Sequence, residues 1–383
     1  MNLEGTHHAV TLTHQASDLS VKIPGVTTVL GEFAHYGQGR VLCCTNNQYL
    51  LLTLTDSPDN QFHIHNNFTG DRKRFSISSL KYRKEDKWAN YVKGIILQLI
   101  DNGIQVKPFN LELRGPGLKS DGATIAAAVS IGVCKILQRK IGFELSDKDL
   151  IIMCYHNCTN YCNELTKYST IVAMLHAKEG KYILFDLNTM TYIMLDDPFE
   201  TGDCTFLMVD CKIPPAAMRE EITYRHTQIK DAFNQLKSKY HHSLKDFPLN
   251  DLADRVIPID EESRRMCYAV MEDKQVAATM AHTFPSHDYV QIGRGLNKVG
   301  KLIRDDLEIS CPEIDWLIKR ATEVPGCHGA TVVFNGDNTY VALVIDNHSI
   351  PHYESRLDEY ERIFGFKAST FPLKPCGKWE HHN

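Results

Sequence analysis

The segment from Pro24 to Tyr36, with the sequence PGVTTVLGEFAHY, indicates the fold of this chain more strongly than any other segment. Apolar runs at Val21–Ile23 and Val41–Leu54 flank it and predict two β-strands, so the segment forms a turn region between strands. Two further distinctive segments follow it in the chain, WANYVKG at 88–94 and DDLEISCPEID at 305–315. The three segments together form an ordered set, which carries more weight than one short motif.

This set resembles the galactokinase family of the GHMP kinase superfamily. The family's N-terminal signature is P-G-R-V-N-L-I-G-E-H-T-D-Y, and this chain keeps Pro24, Gly25, Gly31, Glu32 and Tyr36 of it. WANYVKG is similar to W-x-N-Y-V-K-G of the family, and DDLEISCPEID is similar to D-D-Y-E-V-S-C-P-E-L-D. The resemblance extends over about residues 25 to 375.

The resemblance implies an α+β, two-lobed GHMP-kinase fold with the active site in a cleft between the lobes. Asp197-Pro198 and Pro214-Pro215 mark a passage between the halves, so we expect an N-terminal domain at 1–197 and a C-terminal domain at 198–383. Helical spacing of apolar residues predicts helices at 88–102 and 123–137. Hairpins are predicted at 182–195 and at 331–345.

Composition excludes several classes of protein. The 383 residues with 43% apolar content are enough for two domains, and the net charge of -5 gives no reason to expect a nucleic-acid partner. No apolar stretch is long enough to span a bilayer, and no secretory signal is visible. The 12 scattered cysteines suggest reduced thiols, so we expect a cytoplasmic protein without a membrane partner.

The family's phosphate loop, G-x-G-L-S-S-S-A, precedes a helix whose N-terminus holds the nucleotide phosphates. The corresponding positions here are Gly115, Gly117, Leu118, Ser120 and Asp121. By resemblance these are the nucleotide-binding candidates, with ATP and Mg as cofactors if kinase activity survives. A carboxylate is also a good cap for a helix N-terminus and would repel phosphate, so a capped helix without nucleotide is the alternative.

The positions that the resemblance assigns to catalysis are substituted. The family's arginine corresponds to Val26, and its aspartate base corresponds to Ser169 or Thr170. A hydroxyl is too weak a base to take a sugar proton unaided. The metal-holding glutamate of the family falls on a cysteine, so no metal ligand is assigned. Glu164 is the nearest replacement carboxylate, and a surface or capping role is the favoured interpretation of it.

The sugar-binding positions are also altered. By resemblance the substrate-binding candidates are Glu32, Phe33, His35 and Tyr36, where Phe33 replaces a histidine and His35 replaces an aspartate. Ile222 stands where the family has a tyrosine that contacts sugar, and Gly336 alone remains of a later glycine-rich segment. Glu32 and His35 either pair in a cleft around a sugar-like ligand or only fix a turn. A pocket specific for galactose is therefore not expected.

Cys154, Cys158 and Cys162 recur at a spacing of four, which places them on one face of a helix. A zinc or iron–sulfur site is one interpretation, although known metal motifs favour closer C-x-x-C pairs and a fourth ligand. The favoured alternative is three small residues on a buried helix face.

Two classes of function stay open on the sequence. The favoured one is a non-catalytic descendant of a galactokinase that binds a small sugar-like molecule or regulates another process. The other is an active galactokinase-like kinase, an ATP:sugar 1-phosphotransferase with an altered substrate and relocated catalytic residues. The substitutions at separate functional positions favour the first class.

Overall fold

A computed structural model of the chain describes residues 19–118, 122–240, 242–244, 247–335 and 338–382. Its strands are β1 (Leu19–Leu30), β2 (Arg40–Asp56), β3 (Phe62–Asn66), β4 (Arg72–Phe75), β5 (Phe109–Gly117), β6 (Lys181–Asp186), β7 (Thr191–Asp196), β8 (Cys204–Asp210), β9 (Cys327–Asn335), β10 (Asn338–Asp346), β11 (Ser369–Pro372) and β12 (Glu380–His382). Its helices are α1 (Ala89–Asp101), α2 (Gly122–Ile141), α3 (Asp147–His156), α4 (Tyr168–His176), α5 (Pro215–Lys239), α6 (Asn250–Ala253), α7 (Glu261–Thr283), α8 (Tyr289–Lys301), α9 (Pro312–Thr322), α10 (Ile350–Glu354) and α11 (Leu357–Phe364).

The strands form two sheets, and each sheet carries its own helices. The first sheet has the order β12-β1-β2-β5-β3-β4, with β6 on β2 and β7 on β6. Within it, β3 and β5 run parallel, while the other neighbours are antiparallel. Helices α2 and α4 pack on β1 and β2. The second sheet, β11-β8-β10-β9, is antiparallel and is covered by α5, α8 and α9.

Strand β2 explains how the two lobes are joined. Its side chains alternate between faces, as the period of a strand requires. Val41 and Cys43 lie in the core of the first lobe, whereas Leu42 and Cys44 lie in the core of the second. Helix α7 packs on β2 and β6 from the second side. The first sheet is therefore buried on both faces here, which agrees with the continuous apolar run of β2 at residues 41–44.

The two-lobed α+β architecture predicted from the sequence is confirmed. The predicted helices correspond to α1 and α2, and both predicted hairpins form, as β6–β7 and β9–β10. Strand β12, close to the end of the chain, pairs with β1 in the first sheet. The domain boundary at residue 197 stays a prediction.

Gly31 lies in the signature turn and has a φ of +82°, in the left-handed region that favours glycine. A Cβ atom there would lie 2.2 Å from the backbone oxygen of Arg40. We expect Gly31→Ala to lower the free energy of unfolding by ~2–4 kcal/mol, measured by urea denaturation. Gly103→Ala is the matched control, because Gly103 has a φ of +81° but no atom within 4 Å of the added Cβ. Equal losses in the two variants would contradict the steric argument.

Asp273 of α7 connects the second lobe to this turn, since its Oδ2 accepts a hydrogen bond of 3.1 Å from the Gly31 N–H. Complete burial, with a smaller contribution from Glu32, raises the pKa of Asp273 to about 7. Between the pKa of a free aspartate and this value, the folded state binds a proton that the unfolded state has lost. This group therefore makes the free energy of unfolding fall as the pH rises from about 4 to about 7.

We expect Asp273→Asn to weaken that pH dependence, because the amide stays neutral and its oxygen still accepts the Gly31 hydrogen bond. Urea denaturation curves at a series of pH values across this range would measure the effect. Asp101→Asn, at an exposed position at the end of α1, is the control and should keep the pH dependence of the parent. An Asp273→Asn protein with the pH profile of the parent would contradict the assignment.

Candidate functional site

A cavity of about 420 Å³ lies between the two lobes. The first lobe contributes residues of β1 and the turn after it, the start of α2, and the segment at 163–170. The second lobe contributes α5 and the end of β9. The lining residues are Val26, Thr28, Glu32, Gly122, Ala123, Thr124, Asn163, Glu164, Leu165, Thr166, Lys167, Thr170, Arg219, Ile222, Thr223, His226, Phe334 and Asn335.

A second cavity of about 290 Å³ adjoins the first and shares the segment at 163–167 and His226 with it. Both cavities contain residues predicted from the sequence. Val26, Glu32 and Thr170 line the larger cavity, and His35 and Ser169 line the smaller one. The two hydroxyl candidates, Ser169 and Thr170, thus face different cavities, which share the segment at 163–167 as a wall.

Glu32 forms an ion pair with Lys167, and both side chains are mostly buried. Lys167 precedes α4 and lies close to Ser169 and Thr170 in the chain. The sequence analysis missed this lysine, because nothing in the local sequence relates it to Glu32, which is 135 residues away. The pair fixes the carboxylate of Glu32 at the edge of the larger cavity.

The other substrate candidates form an aromatic group with His226 of α5. The His35 ring lies 3.9 Å from the Tyr36 ring, and the Phe33 ring lies 4.9 Å from that of His226. The Tyr36 hydroxyl donates a hydrogen bond of 2.9 Å to the backbone oxygen of His226. Desolvation of the ring, and after it the positive charge of Lys167, lowers the pKa of His35, although part of the residue stays exposed to solvent. Phe33 is itself fully enclosed in the core, which makes it a packing residue behind the site.

Glu164 lies in the wall of both cavities. Its Oε1 accepts a hydrogen bond of 2.7 Å from the Tyr91 hydroxyl. A Cβ atom added to Gly122 would lie 2.8 and 2.9 Å from the two carboxylate oxygens, so the carboxylate rests against the first residue of α2. Glu164 is therefore part of the cleft wall, and its position against the start of α2 is also compatible with the capping role considered from the sequence. Its backbone N–H donates a hydrogen bond of 2.8 Å to the Cys158 backbone oxygen, which holds this segment against the end of the preceding helical region.

The described part of the predicted phosphate loop is close to β2. Gly115 has a φ of +113°, and an added Cβ would lie 3.0 Å from the Tyr49 backbone oxygen. Gly117 pairs with Tyr49, and Leu118 is buried. Ser120, Asp121 and Gly336 lie outside the described residues. The nucleotide-binding assignment of this loop therefore stays a prediction.

The cysteine row belongs to the first core. Cys154, Cys158 and Cys162 are all buried, and burial raises the pKa of each thiol. The Cys158 sulfur lies 3.7 Å from the Ser130 hydroxyl oxygen. Within the described ranges, no grouping of possible metal ligands includes these cysteines. Their burial in the core agrees with the packing role favoured from the sequence. In the same ranges, no helix is both long and apolar enough to cross a bilayer.

No protein-family model matches this chain. Individual known proteins, however, are similar to it over almost its whole length. A Treponema pallidum protein named "Putative galactokinase" is 29% identical over 359 residues, which are 92% of this chain and 89% of that protein. A galactokinase of Clostridium perfringens is 23% identical over 356 residues, or 91% of each chain. Lactococcus lactis galactokinase complexed with galactose matches with a TM-score of 0.84 and 18% identity, over 96% of this chain and 95% of that chain.

The likeness also extends to another kinase of the same fold. Methanococcus jannaschii mevalonate kinase matches with a TM-score of 0.60 and 15% identity, over 96% of this chain and 100% of that chain. The matches include both lobes of this chain. The galactokinases are similar to it in sequence as well as in fold. This chain is a homologue of the galactokinases and has the two-lobed fold of the GHMP kinase superfamily.

Proposed function

We propose that this protein is a sugar kinase that transfers the γ-phosphoryl group of ATP to a hydroxyl of a sugar-like molecule in the cleft. This proposal rests above all on the position of Glu164, whose carboxylate lines both cavities and lies against the start of α2. The non-catalytic role favoured by the sequence rested on the substituted functional positions, with Glu164 interpreted as a surface or capping residue. Glu164 supplies such a carboxylate from a different point in the chain.

The residues around Glu164 fit a magnesium–nucleotide pair. Mg²⁺ is typically bound through one or two carboxylates together with substrate phosphates. A helix N-terminus such as that of α2 favours phosphate. In this arrangement Glu164 would hold the metal, and the first residues of α2 would orient the phosphates. When bound, Mg²⁺ neutralises charge that develops on the phosphate oxygens.

Two basic side chains in the same cavity support phosphoryl transfer. Lys167 and Arg219 both line it, one from each lobe. Phosphoryl transfer depends mainly on positioning and charge stabilisation, and less on a strong base. Lys167 and Arg219 would therefore stabilise the negative charge of the transferred phosphoryl group, in place of the arginine that the family has at the position of Val26.

Glu32 is the group that we assign to the acceptor hydroxyl. In the transfer, the sugar oxygen forms a bond to the γ-phosphorus while the bond to the ADP oxygen breaks. The hydroxyl proton passes to the carboxylate of Glu32, which Lys167 holds in place. Ser169 and Thr170 lack the basicity for this step.

The shape of the site suggests a substrate other than galactose. Ile222 lines the larger cavity, and Leu187, Tyr155 and Tyr168 line the smaller one. A deoxy sugar or an N-acetylated sugar places an apolar group where galactose has a hydroxyl, so either class suits these walls.

The test is a coupled assay of ADP release by the purified protein with ATP, Mg²⁺ and a panel of aldoses, deoxy sugars and N-acetylated sugars. Mass spectrometry of the product should show a sugar phosphate. Sugar-dependent ADP release with at least one member supports the kinase. No sugar-dependent release across the panel, in a protein whose melting temperature is raised by a sugar, would overturn it.

A non-catalytic sugar-binding protein is the second candidate. The observation in its favour is that uncharged side chains, Val26, Ser169 and Thr170, occupy all the positions that the family resemblance assigns to a charged pair. Under this candidate a sugar would raise the melting temperature by mass action, while ATP with Mg²⁺ would neither raise it nor be consumed. Its cytoplasmic location and the absence of a nucleic-acid partner stay predictions from composition.

A further inference from the structure

Three potential metal ligands meet at one end of the second sheet, away from the cleft. Cys204 begins β8, His328 is the second residue of β9, and Asp346 ends β10. Their ligand atoms all lie within 4.8 Å of one another. His328 and Asn335, which lines the cleft, are at opposite ends of β9, about 23 Å apart at the usual rise of a strand. The cluster is therefore separate from the proposed active site.

The strand register brings these side chains together. Asp346 is the direct cross-strand partner of Cys204, so their side chains share a face of the sheet. On the other side of β10, Val344 pairs with Gly329 and Ile345 pairs with Cys327, which leaves His328 as the extra residue of a β-bulge. A bulge redirects the side chain of its extra residue. Here it turns His328 toward Asp346.

Cys204 and His328 both contact the carboxylate of Asp346. The Cys204 thiol donates a hydrogen bond of 3.0 Å to Asp346 Oδ1, and the His328 Nε2 lies 2.8 Å from the same oxygen. Burial, and after it the hydrogen bond to Asp346, raises the pKa of Cys204 to about 12. The same hydrogen bonds hold the pKa of Asp346 below its usual value. The metal-free cluster thus contains a neutral thiol and a carboxylate.

We propose that Cys204, His328 and Asp346 bind a zinc ion. Sulfur, imidazole nitrogen and carboxylate oxygen are the ligands that zinc takes, at about 2.0–2.3 Å. Around a tetrahedral ion such ligands stand about 3.3–3.6 Å apart, so the two contacts with Asp346 Oδ1, at 3.0 and 2.8 Å, need to lengthen by about half an ångström. The third distance, between the Cys204 sulfur and the His328 nitrogen, is at most 4.8 Å. On binding, the thiol sulfur forms a bond to zinc and its proton leaves to solvent. A fourth, open position would hold water.

The absence of a side chain at Gly326 leaves space for the carboxylate of Asp346. Gly326 has a φ of +87°, and a Cβ atom there would lie 2.7 Å from Asp346 Oδ2. The Asp346 N–H donates to the Gly326 oxygen at 2.9 Å, which fixes the turn before β9 against the end of β10. Because the ligands come from three strands, a bound zinc would tie β8, β9 and β10 together and stabilise this end of the lobe.

The experiment uses the full chain, stripped with a chelator and then titrated with zinc chloride in competition with a chromophoric chelator. We expect one zinc per chain by elemental analysis and a higher melting temperature with zinc. With cobalt chloride in place of zinc, a thiolate-to-metal charge-transfer band should appear in the near ultraviolet. Cys204→Ser and His328→Gln should each lower zinc affinity by ~100-fold or more, and Cys204→Ser should abolish the cobalt band.

Two controls separate this cluster from other metal-binding groups. Cys376→Ser changes a less buried cysteine outside the cluster and should leave the zinc titration unchanged. The pair His381→Gln and His382→Gln removes the C-terminal histidines and should also leave it unchanged. His328→Gln serves as the folding-safe variant, because His328 is only partly buried. Full zinc binding by His328→Gln, no zinc binding by the parent, or loss of binding in the C-terminal histidine variant would overturn the proposal.

Discussion

Glu164→Gln is expected to lower kcat for sugar phosphorylation by ~10²–10³-fold, because the amide cannot hold a metal as the carboxylate does. The side chain keeps its size, and its oxygen still accepts the hydrogen bond from Tyr91. The loss should therefore appear in turnover and in the concentration of Mg²⁺ that gives half-maximal rate, with little change in melting temperature. Steady-state assays over a Mg²⁺ titration would measure both quantities.

Glu144→Gln is the matched control, since Glu144 is exposed in the segment after α2 and lines neither cavity. It should keep the kcat and the Mg²⁺ dependence of the parent. If Glu164→Gln also turned over sugar at the parental rate, Glu164 would have no part in the reaction. If Glu164→Gln lost activity because it did not fold, the melting curve would show this. The test would then use Glu164→Asp, which keeps the negative charge but has a shorter side chain.

Glu32 and Lys167 are expected to behave as one unit in catalysis. Glu32→Gln removes the proton acceptor, which typically contributes ~10²–10⁴-fold, and Lys167→Met removes a positive charge worth ~10²–10³-fold. Because the two side chains form an ion pair, the double variant should lose much less than the product of the two single losses. A double-mutant cycle on kcat/KM measures this coupling.

If the reduction in kcat/KM of the double variant equalled the product of the two single reductions, Glu32 and Lys167 would act independently. That result would contradict the assigned roles. Lys22→Met is a suitable control, because Lys22 is in the same lobe and lies over the Tyr49 ring, outside both cavities. A parental KM for ATP in Glu32→Gln, with kcat reduced, would place the effect on the acceptor hydroxyl. A large rise in the KM for ATP would instead indicate a role in nucleotide binding.

The sequence alone was sufficient for the family and the architecture. Signature segments and apolar strands are local features whose information lies within a few residues, and strands β6, β7, β9 and β10 form where they were predicted. The apolar run of β2 predicted a strand, and only the packed lobes show that alternate side chains enter two different cores.

The arrangement of charges in the cleft was decided by the tertiary structure. Lys167 meets Glu32 across 135 residues of chain, and Glu164 reaches the start of α2 from the segment beyond α3. Likewise, Cys204, His328 and Asp346 carry no common motif, and a single bulge in β9 brings them together. A motif specifies residue types at fixed spacing. Comparison with a motif therefore shows that a charged group is missing from its usual position in the family. Glu164 could be named from the sequence as a candidate replacement, but whether its carboxylate reaches the cleft depends on how strands and helices pack, and the linear sequence does not show that.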